Sequence, residues 1–368
     1  MSYQNQTKRT DYSLVISILI LTIFGLVVLS SASTVIGLTD FNDSYYFLKH
    51  QLLKGVLPGL ILFFVFLKTP YRLWQKYYRW ALILAVLLLG LVFIPGLGAT
   101  FNSNAYSWLN FGFFSFQPSE IAKLLLIIYL AGWLNNLKIG GLKNLKTGFL
   151  PFVAVLGLVG VLIALQPDLG TMVIVVLISL GIYFSAGASY YNLGLLFVVG
   201  AGLIFALIKA APYRFRRFLV FLDPSLDPLG AGYHIQQALL AIGTGGFLGL
   251  GLGHSRQKFQ YLPQVYGDSI FAVMAEELGF VLTALFVIFL IVFILRTLQL
   301  ASHNQDNFVK FFAVGVAIWI GGQALINIGA MLGILPLTGV PLPFVSYGGT
   351  SVIIILTACG MLANMAKN

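Results

Sequence analysis

Residues 311–366 read FFAVGVAIWIGGQALINIGAMLGILPLTGVPLPFVSYGGTSVIIILTACGMLANMA and contain no Lys, Arg, Asp or Glu. Closer to the N-terminus, residues 12–39, 80–119 and 278–295 also lack these four residue types. A membrane-spanning helix needs about 20 apolar residues to cross the roughly 30 Å hydrocarbon core. Helices satisfy their backbone groups internally, whereas barrel strands alternate polar and apolar residues, which these stretches do not. The sequence therefore predicts an all-α polytopic membrane protein.

The overall composition leads to the same fold class. The chain has 368 residues, of which 59% are hydrophobic and 9% charged, and its mean hydropathy is +0.95. Soluble globular domains carry about 25% charged residues, because a water-exposed surface needs them. This composition excludes a water-soluble enzyme. The single cysteine, Cys359, also excludes a disulfide framework and a cysteine-based metal site.

The apolar runs predict about ten membrane spans. Lys and Arg concentrate in short loops on the side of the N-terminus, and cytoplasmic loops carry this excess. We therefore expect both termini in the cytoplasm, residues 1–11 as a cytoplasmic tail, residues 12–365 as a single membrane domain, and two extracytoplasmic loops at 96–117 and 210–267. The net charge of +10 reflects this topology, and no nucleic-acid partner is expected. The predicted spans are about 12–36, 46–67, 78–95, 118–135, 148–165, 168–186, 190–209, 268–295, 309–333 and 344–364.

The second loop contains a glycine-rich run, GTGGFLGLGLG, at residues 243–253. This run lacks the Gly-Lys-Ser/Thr ending of a P-loop, and no predicted strand precedes it. We therefore expect a flexible or re-entrant segment that packs closely against helices, rather than a nucleotide site.

Charged residues within the predicted spans are functional candidates, because a charge is costly in lipid. Glu120 and Lys123 share one helix face near the start of the fourth span. They form either a structural ion pair or the polar lining of a substrate cavity. Asp168 is expected to cap the helix that begins after it. Glu276 and Glu277 are adjacent, so at most one of them is expected to face a cavity.

Asp268 follows the long outer loop and is the strongest catalytic candidate. One interpretation is a helix N-cap without chemistry. The other is a general base beside an anionic lipid headgroup, because five cations share the loop with it. A divalent cation, Mg²⁺ or Mn²⁺, is a further candidate for neutralising such a headgroup, although the four histidines lack metal-ligand spacing. The five basic candidates for substrate binding are Arg214, Arg216, Arg217, Arg256 and Lys258.

Six motifs in this order carry a resemblance that covers nearly the whole chain. They are FQPSEIAK (116–123), QPDLGT (166–171), LDPSLDPLGAGY (222–233), FAVMAEELG (271–279), QALINIG (323–329) and PLPFVSYGGTS (341–351). Together they resemble the SEDS family (shape, elongation, division and sporulation proteins), which includes FtsW, RodA and SpoVE. The segment SRQKFQYLP at 255–263 is similar to the division type, FtsW, rather than to RodA.

The resemblance implies a ten-helix fold and a peptidoglycan glycosyltransferase that polymerises lipid II at the outer face of the bacterial cytoplasmic membrane. It also implies a class B penicillin-binding protein as the cross-linking partner, together with other membrane proteins of the divisome. The family's essential loop aspartate falls on Asp268. The substrate-binding candidates in the matching motifs and loop are Glu120, Lys123, Trp108, Asp168 and Ser346.

The sequence departs from the family pattern beside the essential aspartate. The family usually reads Pro-Glu-x-His-Thr-Asp there, whereas this chain reads PQVYGD at 263–268. The aspartate is retained, but its acidic and histidine neighbours are not, so we expect a different electrostatic environment for Asp268.

Two other functions remain open at this stage. A lipid II flippase is suggested by the intramembrane Glu120 and Lys123 and by the interruption at 166–168, since transporters use interrupted helices at their sites. A non-catalytic division scaffold would tolerate replacement of Asp268. The predicted intramembrane charges cluster toward the outer half of the spans, which favours chemistry at the outer surface.

Overall fold

The computed structural model describes residues 12–99, 107–112, 115–138, 140–210 and 212–367, and these residues are almost entirely helical. The tail predicted at 1–11 lies outside the described residues. The α-helices are α1 (Tyr12–Ala32), α2 (Thr34–Phe41), α3 (Tyr46–Gln51), α4 (Leu57–Lys68), α5 (Arg72–Lys76), α6 (Tyr78–Leu91), α7 (Pro118–Asn135), α8 (Leu150–Leu165), α9 (Leu169–Ser185), α10 (Tyr190–Ala210), α11 (Pro212–Leu222), α12 (Ala231–Gly245), α13 (Ile270–His303), α14 (Asn307–Met331) and α15 (Gly349–Met365).

Short elements complete the helical architecture. A π-helical turn at Leu52–Val56 joins α3 to α4, and another at Leu145–Phe149 leads into α8. Two 3₁₀ turns lie at Gly141–Lys143 and Pro224–Leu226. The long loop predicted at 210–267 is therefore not structureless, because α11, the second 3₁₀ turn and α12 all lie within it.

Five helical segments among the described residues are long and apolar enough to cross a membrane. Shorter apolar helices of 10–17 residues occur at four further places, and every predicted span coincides with a helix or a run of helices. The prediction of a helical membrane protein is confirmed. The five long segments are Tyr12–Ala32, Tyr46–Lys68, Leu145–Leu165, Ile270–His303 and Asn307–Met331.

Helix α14 forms the centre of the bundle. It packs against α7, α9 and α13. Of its most apolar 18-residue stretch, 67% is buried, compared with 28–39% for the same length of the other four long segments. Lipid-facing helices need only an apolar surface, whereas a central helix can carry polar side chains if they find partners. Trp319, Gln323 and Asn327 are such side chains, and their spacing of four residues puts them on one face.

Helix α13 is broken at Gly279, whose φ of +72° lies in the left-handed region. The break lies about 14 Å from the start of the helix. The glycine-rich run satisfies the backbone groups that the break leaves without helical partners. Its carbonyls at 246 and 247 accept from the N–H groups of residues 280 and 281, at 2.9 and 3.1 Å. Its N–H groups at 250 and 251 donate to the carbonyls of residues 276 and 277, at 3.0 and 2.9 Å. The predicted close packing of this run against a helix is confirmed.

The loop predicted at 96–117 contains a small antiparallel sheet, so the prediction of an all-α chain is wrong here. Leu109 in the central strand pairs with Gly98 on one side and Phe116 on the other. The φ of Gly112 is +82°, and its N–H donates to Asn110 Oδ1 at 2.9 Å, a local turn that favours strand reversal over helix. The strands are β1 (Gly98–Ala99), β2 (Trp108–Asn110) and β3 (Ser115–Phe116).

Replacing Gly279 by alanine is expected to destabilise the protein. The positive φ disfavours any side chain, and an added Cβ would lie 2.2 Å from the amide nitrogen of Gly249. We expect a loss of more than about 2 kcal/mol, measured as a lower Tm of the purified protein in detergent.

The matched control is Gly157→Ala, because Gly157 lies within α8 and a Cβ there would meet nothing within 4 Å. Alanine is the better helix former by roughly 0.5–1 kcal/mol, so this variant should have an equal or higher Tm. Equal Tm values for the two variants would contradict the importance of the break.

Candidate active site

Asp268 ends a turn that is held by three consecutive hydrogen bonds. The carbonyls of residues 266, 267 and 268 accept, in that order, from the backbone N–H of Tyr347 at 2.8 Å, from Ser346 Oγ at 2.7 Å and from Asn327 Nδ2 at 2.7 Å. Ser346 Oγ also accepts from the backbone N–H of Leu342 at 2.7 Å. The predicted site residue Ser346 therefore lies beside Asp268 and fixes its turn.

Two amide side chains of α14 hold the segment that follows this helix. Gln323 Nε2 donates to the carbonyl of Pro341 at 2.9 Å, and Asn327 Nδ2 donates to the carbonyl of Val340 at 2.8 Å. Because Asn327 also binds the carbonyl of Asp268, it joins this segment directly to the catalytic candidate.

The predicted pair of Glu120 and Lys123 is formed and buried. Lys123 Nζ lies 2.7 Å from Glu120 Oε1, and the two residues are only 1% and 3% exposed. Lys123 also donates to Gln323 Oε1 at 3.1 Å, and its Nζ lies 5.0 Å from the centre of the Trp319 ring. A buried charge needs this degree of compensation. Through Gln323, the pair is connected to the segment beside Asp268.

Asp168 has the capping role that the sequence predicts. It is the N-cap of α9, and its carboxylate accepts from the backbone N–H of Thr171 at 3.0 Å. It also accepts from Gln117 Nε2 at 3.3 Å, at the start of α7. The structure therefore places Asp168 on the side of the site that also holds Glu120.

Asp268 is not the N-cap of α13, because Ser269 occupies that position. Ser269 Oγ donates to the carbonyl of Pro263 at 2.6 Å, so His234 Nε2, 2.5 Å from the same oxygen, acts as the donor to it. Burial raises the pKa of Asp268 above its ordinary value, while the positive charges of His234 and Arg217 oppose the rise. Burial likewise lowers the pKa of His234.

The predicted cations of the long loop do not form one cluster. Arg217 is exposed on α11, near enough to influence both Asp268 and His234. Arg216 is exposed and pairs with Asp227 at 3.1 Å. Arg256 is exposed, and the side chain of Arg214 lies outside the described part of the chain.

Lys258 is buried in an ion pair with Glu277 instead of facing solvent. Its Nζ lies 2.8 Å from Glu277 Oε1, with both residues 2% exposed. Glu277 also accepts from Ser31 Oγ at 2.5 Å. Because the Lys258 ammonium is buried and already paired with Glu277, it is poorly suited to bind a substrate phosphate.

Glu276 and Glu277 both contact the same loop, although they are adjacent in sequence. Glu276 accepts from the hydroxyl of Ser255 and from the backbone N–H groups of residues 256 and 257, at 3.0 and 3.3 Å. The loop 253–258 wraps around the end of the first half of α13, so both neighbouring carboxylates can reach it. Together they fasten this loop to α13.

Trp108 is half-buried in β2. Among the described residues, no group of three or more His, Cys, Asp or Glu side chains could hold a metal ion.

Sequence reasoning missed His234, Gln323 and Asn327 as parts of the site. Gln323 and Asn327 could have been recognised from the sequence, since two amide side chains about one turn apart in an apolar span need hydrogen-bond partners. His234 carried none, because its proximity to Asp268 depends on how α12 packs against α13.

Residues 12–368 match the sequence profile of the FtsW/RodA/SpoVE family, described as cell cycle proteins. The chain belongs to this family. The resemblance to FtsW, RodA and SpoVE carried by the six motifs is thereby confirmed.

Relatives with assigned names match over nearly their full length. Stage V sporulation protein E of Bacillus subtilis (strain 168) is 39% identical over 363 residues, covering 98% of each chain. The probable peptidoglycan glycosyltransferase FtsW of Wigglesworthia glossinidia brevipalpis is 40% identical over 345 residues, covering 93% of this chain and 89% of the relative.

Solved structures of this family share the fold. A chain from a study of structural coordination of polymerization and crosslinking by a peptidoglycan synthase complex superposes with a TM-score of 0.79, at 26% identity, covering 97% of both chains. The crystal structure of the rod shape determining protein RodA of Thermus thermophilus superposes with a TM-score of 0.71, at 27% identity, covering 97% of this chain and 96% of RodA.

Removing the charge of Lys258 is expected to destabilise this family member. Lys258→Met leaves Glu277 buried without its cation, a change that typically costs 3–5 kcal/mol. The double variant Lys258→Met/Glu277→Gln removes both charges of this pair and should recover part of the loss. Thermal unfolding in detergent measures both effects.

Lys49→Met provides the control, because Lys49 makes a 2.7 Å ion pair with Asp43 that is exposed to solvent. Such a pair contributes about 0–1 kcal/mol, so the Tm should hardly change. A double variant less stable than Lys258→Met alone would rule out the buried charge as the cause.

Proposed function

We propose that this chain is a peptidoglycan glycosyltransferase that polymerises lipid II into glycan strands, with Asp268 as the general base. The observation that carries this proposal is the Asp268 carboxyl itself. Its backbone is held at three consecutive carbonyls, yet its Oδ1 is buried and accepts no hydrogen bond from the described residues. A rigidly held carboxylate with an unused acceptor is suited to take a proton from a substrate. The names of the FtsW relatives supply the reaction.

The proposed step transfers one glycosyl group. The acceptor sugar hydroxyl gives its proton to Asp268 while its oxygen forms a bond to the anomeric carbon of the donor. The bond from that carbon to the diphosphate oxygen breaks, and its electron pair leaves with undecaprenyl diphosphate. Burial helps Asp268, because a raised pKa makes the carboxylate a stronger base.

The leaving diphosphate gains negative charge and needs cations beside it. Arg217 is the best-placed candidate, because it lies near Asp268 and is exposed on α11. Arg256 is a second, since its exposed side chain projects from a loop that is fixed by Glu276. Lys258 and Lys123 are assigned to structural ion pairs instead.

The proposal includes a topology for the whole chain. Residues 12–365 form one membrane domain with ten spans in the bacterial cytoplasmic membrane, and both termini are cytoplasmic. The loops 96–117 and 210–267 then face outward, which puts Asp268 where extracytoplasmic lipid II is available. The excess of Lys and Arg in the short loops of the opposite face supports this orientation.

The proposed partner is a class B penicillin-binding protein, which would cross-link the strands that this chain makes. The similarity to a chain of a peptidoglycan synthase complex, in which polymerization and crosslinking are coordinated, supports this assignment. The FtsW names of relatives at 36–40% identity support a septal role in cell division, where other divisome membrane proteins would be neighbours.

Replacing Asp268 by Asn is expected to abolish polymerisation and leave the fold intact. The three hydrogen bonds that hold the turn use backbone carbonyls, so the substitution removes the base without removing its anchor. Purified protein, lipid II and a matched class B penicillin-binding protein should give glycan chains on a gel for wild type and none for the variant.

The control is Asp223→Asn, in the same loop, where the carboxylate lies in the solvent and bonds only locally to Ser225. This variant should polymerise normally. Normal chains from Asp268→Asn would exclude the general base and favour the flippase or the scaffold.

The polymerisation rate should fall as the pH drops through the pKa of Asp268, because only the ionised carboxylate accepts a proton. Burial raises this pKa, so the acid limb of the pH–rate profile should lie above about pH 4, the ordinary aspartate pKa. Arg217→Gln removes a positive charge that opposes the rise, so the limb should move slightly further up. The shift is small because Arg217 is exposed and screened.

Initial rates at saturating lipid II, followed from acidic to neutral pH, measure the limb. Arg216→Gln is the matched control, since Arg216 pairs with Asp227. The acid limb of the pH–rate profile of this variant should stay at the wild-type pH. A downward shift for Arg217→Gln would contradict the assignment.

A further inference from the structure

Three buried oxygen atoms around Asp268 accept no hydrogen bond from any described residue. They are Asp268 Oδ1, Asn327 Oδ1 and Thr338 Oγ1. Buried polar atoms almost always have a partner, so partnerless ones on neighbouring residues call for a ligand or an ordered water molecule.

Asn327 contacts Asp268 directly, and Thr338 directly precedes Gly339, which lies beside Asp268. Asn327 Nδ2 binds the carbonyl of Asp268 at 2.7 Å and that of Val340 at 2.8 Å. Gly339, which follows Thr338, lies where an added Cβ would be 4.0 Å from Asp268 Oδ2. The turn before α13, helix α14 and the segment after α14 therefore meet at this point.

The orientation of the Asn327 amide is fixed. Both contacts of its Nδ2 are with carbonyl oxygens, which accept only, so the amide cannot be turned around. Its Oδ1 is therefore an acceptor without a donor, in a residue that is only 2% exposed.

Gly339 leaves room for a ligand beside these atoms. It is exposed, and its φ of +71° lies in the region that favours glycine. Thr338 and Asp268 are half-buried residues, and their unpartnered oxygens are covered.

The chemistry of the three atoms selects the ligand. A carboxylate oxygen and an amide oxygen only accept, so they repel a phosphate, whose oxygens also accept. A sugar hydroxyl donates, and it can accept in turn from the hydroxyl of Thr338. We propose that Asp268 Oδ1, Asn327 Oδ1 and Thr338 Oγ1 form the subsite that binds hydroxyl groups of the acceptor sugar.

This inference rests on the proposed glycosyltransferase function and adds the roles of two residues to it. Thr338 and Asn327 orient the acceptor, whereas the diphosphate of the donor lies elsewhere, toward the arginines.

Thr338→Val tests the subsite, because it removes the hydroxyl and keeps the shape. A buried hydroxyl without a partner destabilises the protein, so valine should leave the Tm equal or higher. If the hydroxyl binds the acceptor, the KM for lipid II should rise roughly five- to tenfold, the loss expected for one neutral hydrogen bond, with little change in kcat. Thr338→Ser retains a hydroxyl and should restore most of the affinity.

Thr283→Val is the matched control. The hydroxyl of Thr283 is also buried without a partner, but Thr283 lies in α13 beyond the break at Gly279. This variant should keep the wild-type KM. An equal rise for Thr283→Val would overturn the proposal, because the effect would then be general.

Two other results would also overturn it. A wild-type KM for Thr338→Val, in an assay where Asp268→Asn is inactive, removes the subsite and leaves the proposed function standing. If Thr338→Val needed a higher Mg²⁺ concentration for activity while its KM for lipid II stayed unchanged, the three oxygens would be assigned to a cation instead. Normal polymerisation by Asp268→Asn in the same assay would instead remove the proposed function itself.

Discussion

The hydrogen bonds to three consecutive carbonyls at residues 266–268 are the constraint on which the site depends. They connect the end of the long loop to Tyr347, Ser346 and Asn327, which are 59 or more residues further along the chain. A loop that leaves the membrane and returns has many conformations available, and fixing each residue costs about 1–2 kcal/mol of backbone entropy. These three hydrogen bonds offset that cost at Asp268, the residue that we propose as the general base. They also use only backbone carbonyls of the turn, which leaves the Asp268 side chain available.

The break at Gly279 holds the same loop from within α13. A continuous α13 would satisfy its own backbone and offer nothing to the glycine-rich run. Because Gly279 interrupts the helix, backbone groups on both sides of the break become available, and the run occupies them. The neighbouring carboxylates of Glu276 and Glu277 then hold the loop 253–258. The long loop is thus attached at two places, at the break in α13 and at the hydrogen-bonded carbonyls of residues 266–268.

The sequence predicts most of the fold and only part of the site. Runs without charge mark the helices, and the positions of Glu120 and Asp168 predict an ion pair and a cap that the structure contains. These features are local, since their partners lie within a few residues. Lys258 was predicted beside substrate because its partner, Glu277, lies 19 residues away and is reached only through the folded loop. His234 was missed for the same reason, since its contact is with Ser269, 35 residues further along.

The hydrogen-bond partners of the buried acids distinguish the structural ones from Asp268, the proposed general base. Glu277 has a cation and a hydroxyl donor, and Glu276 has a hydroxyl and several N–H donors, so each carboxylate is stabilised where it lies. Asp268 has the firmest backbone anchor and yet an unused oxygen. In a polymerase that must admit a sugar hydroxyl, an acid with complete hydrogen bonding would have no capacity for substrate. The same feature that marks Asp268 as energetically incomplete is therefore what suits it to act as a base.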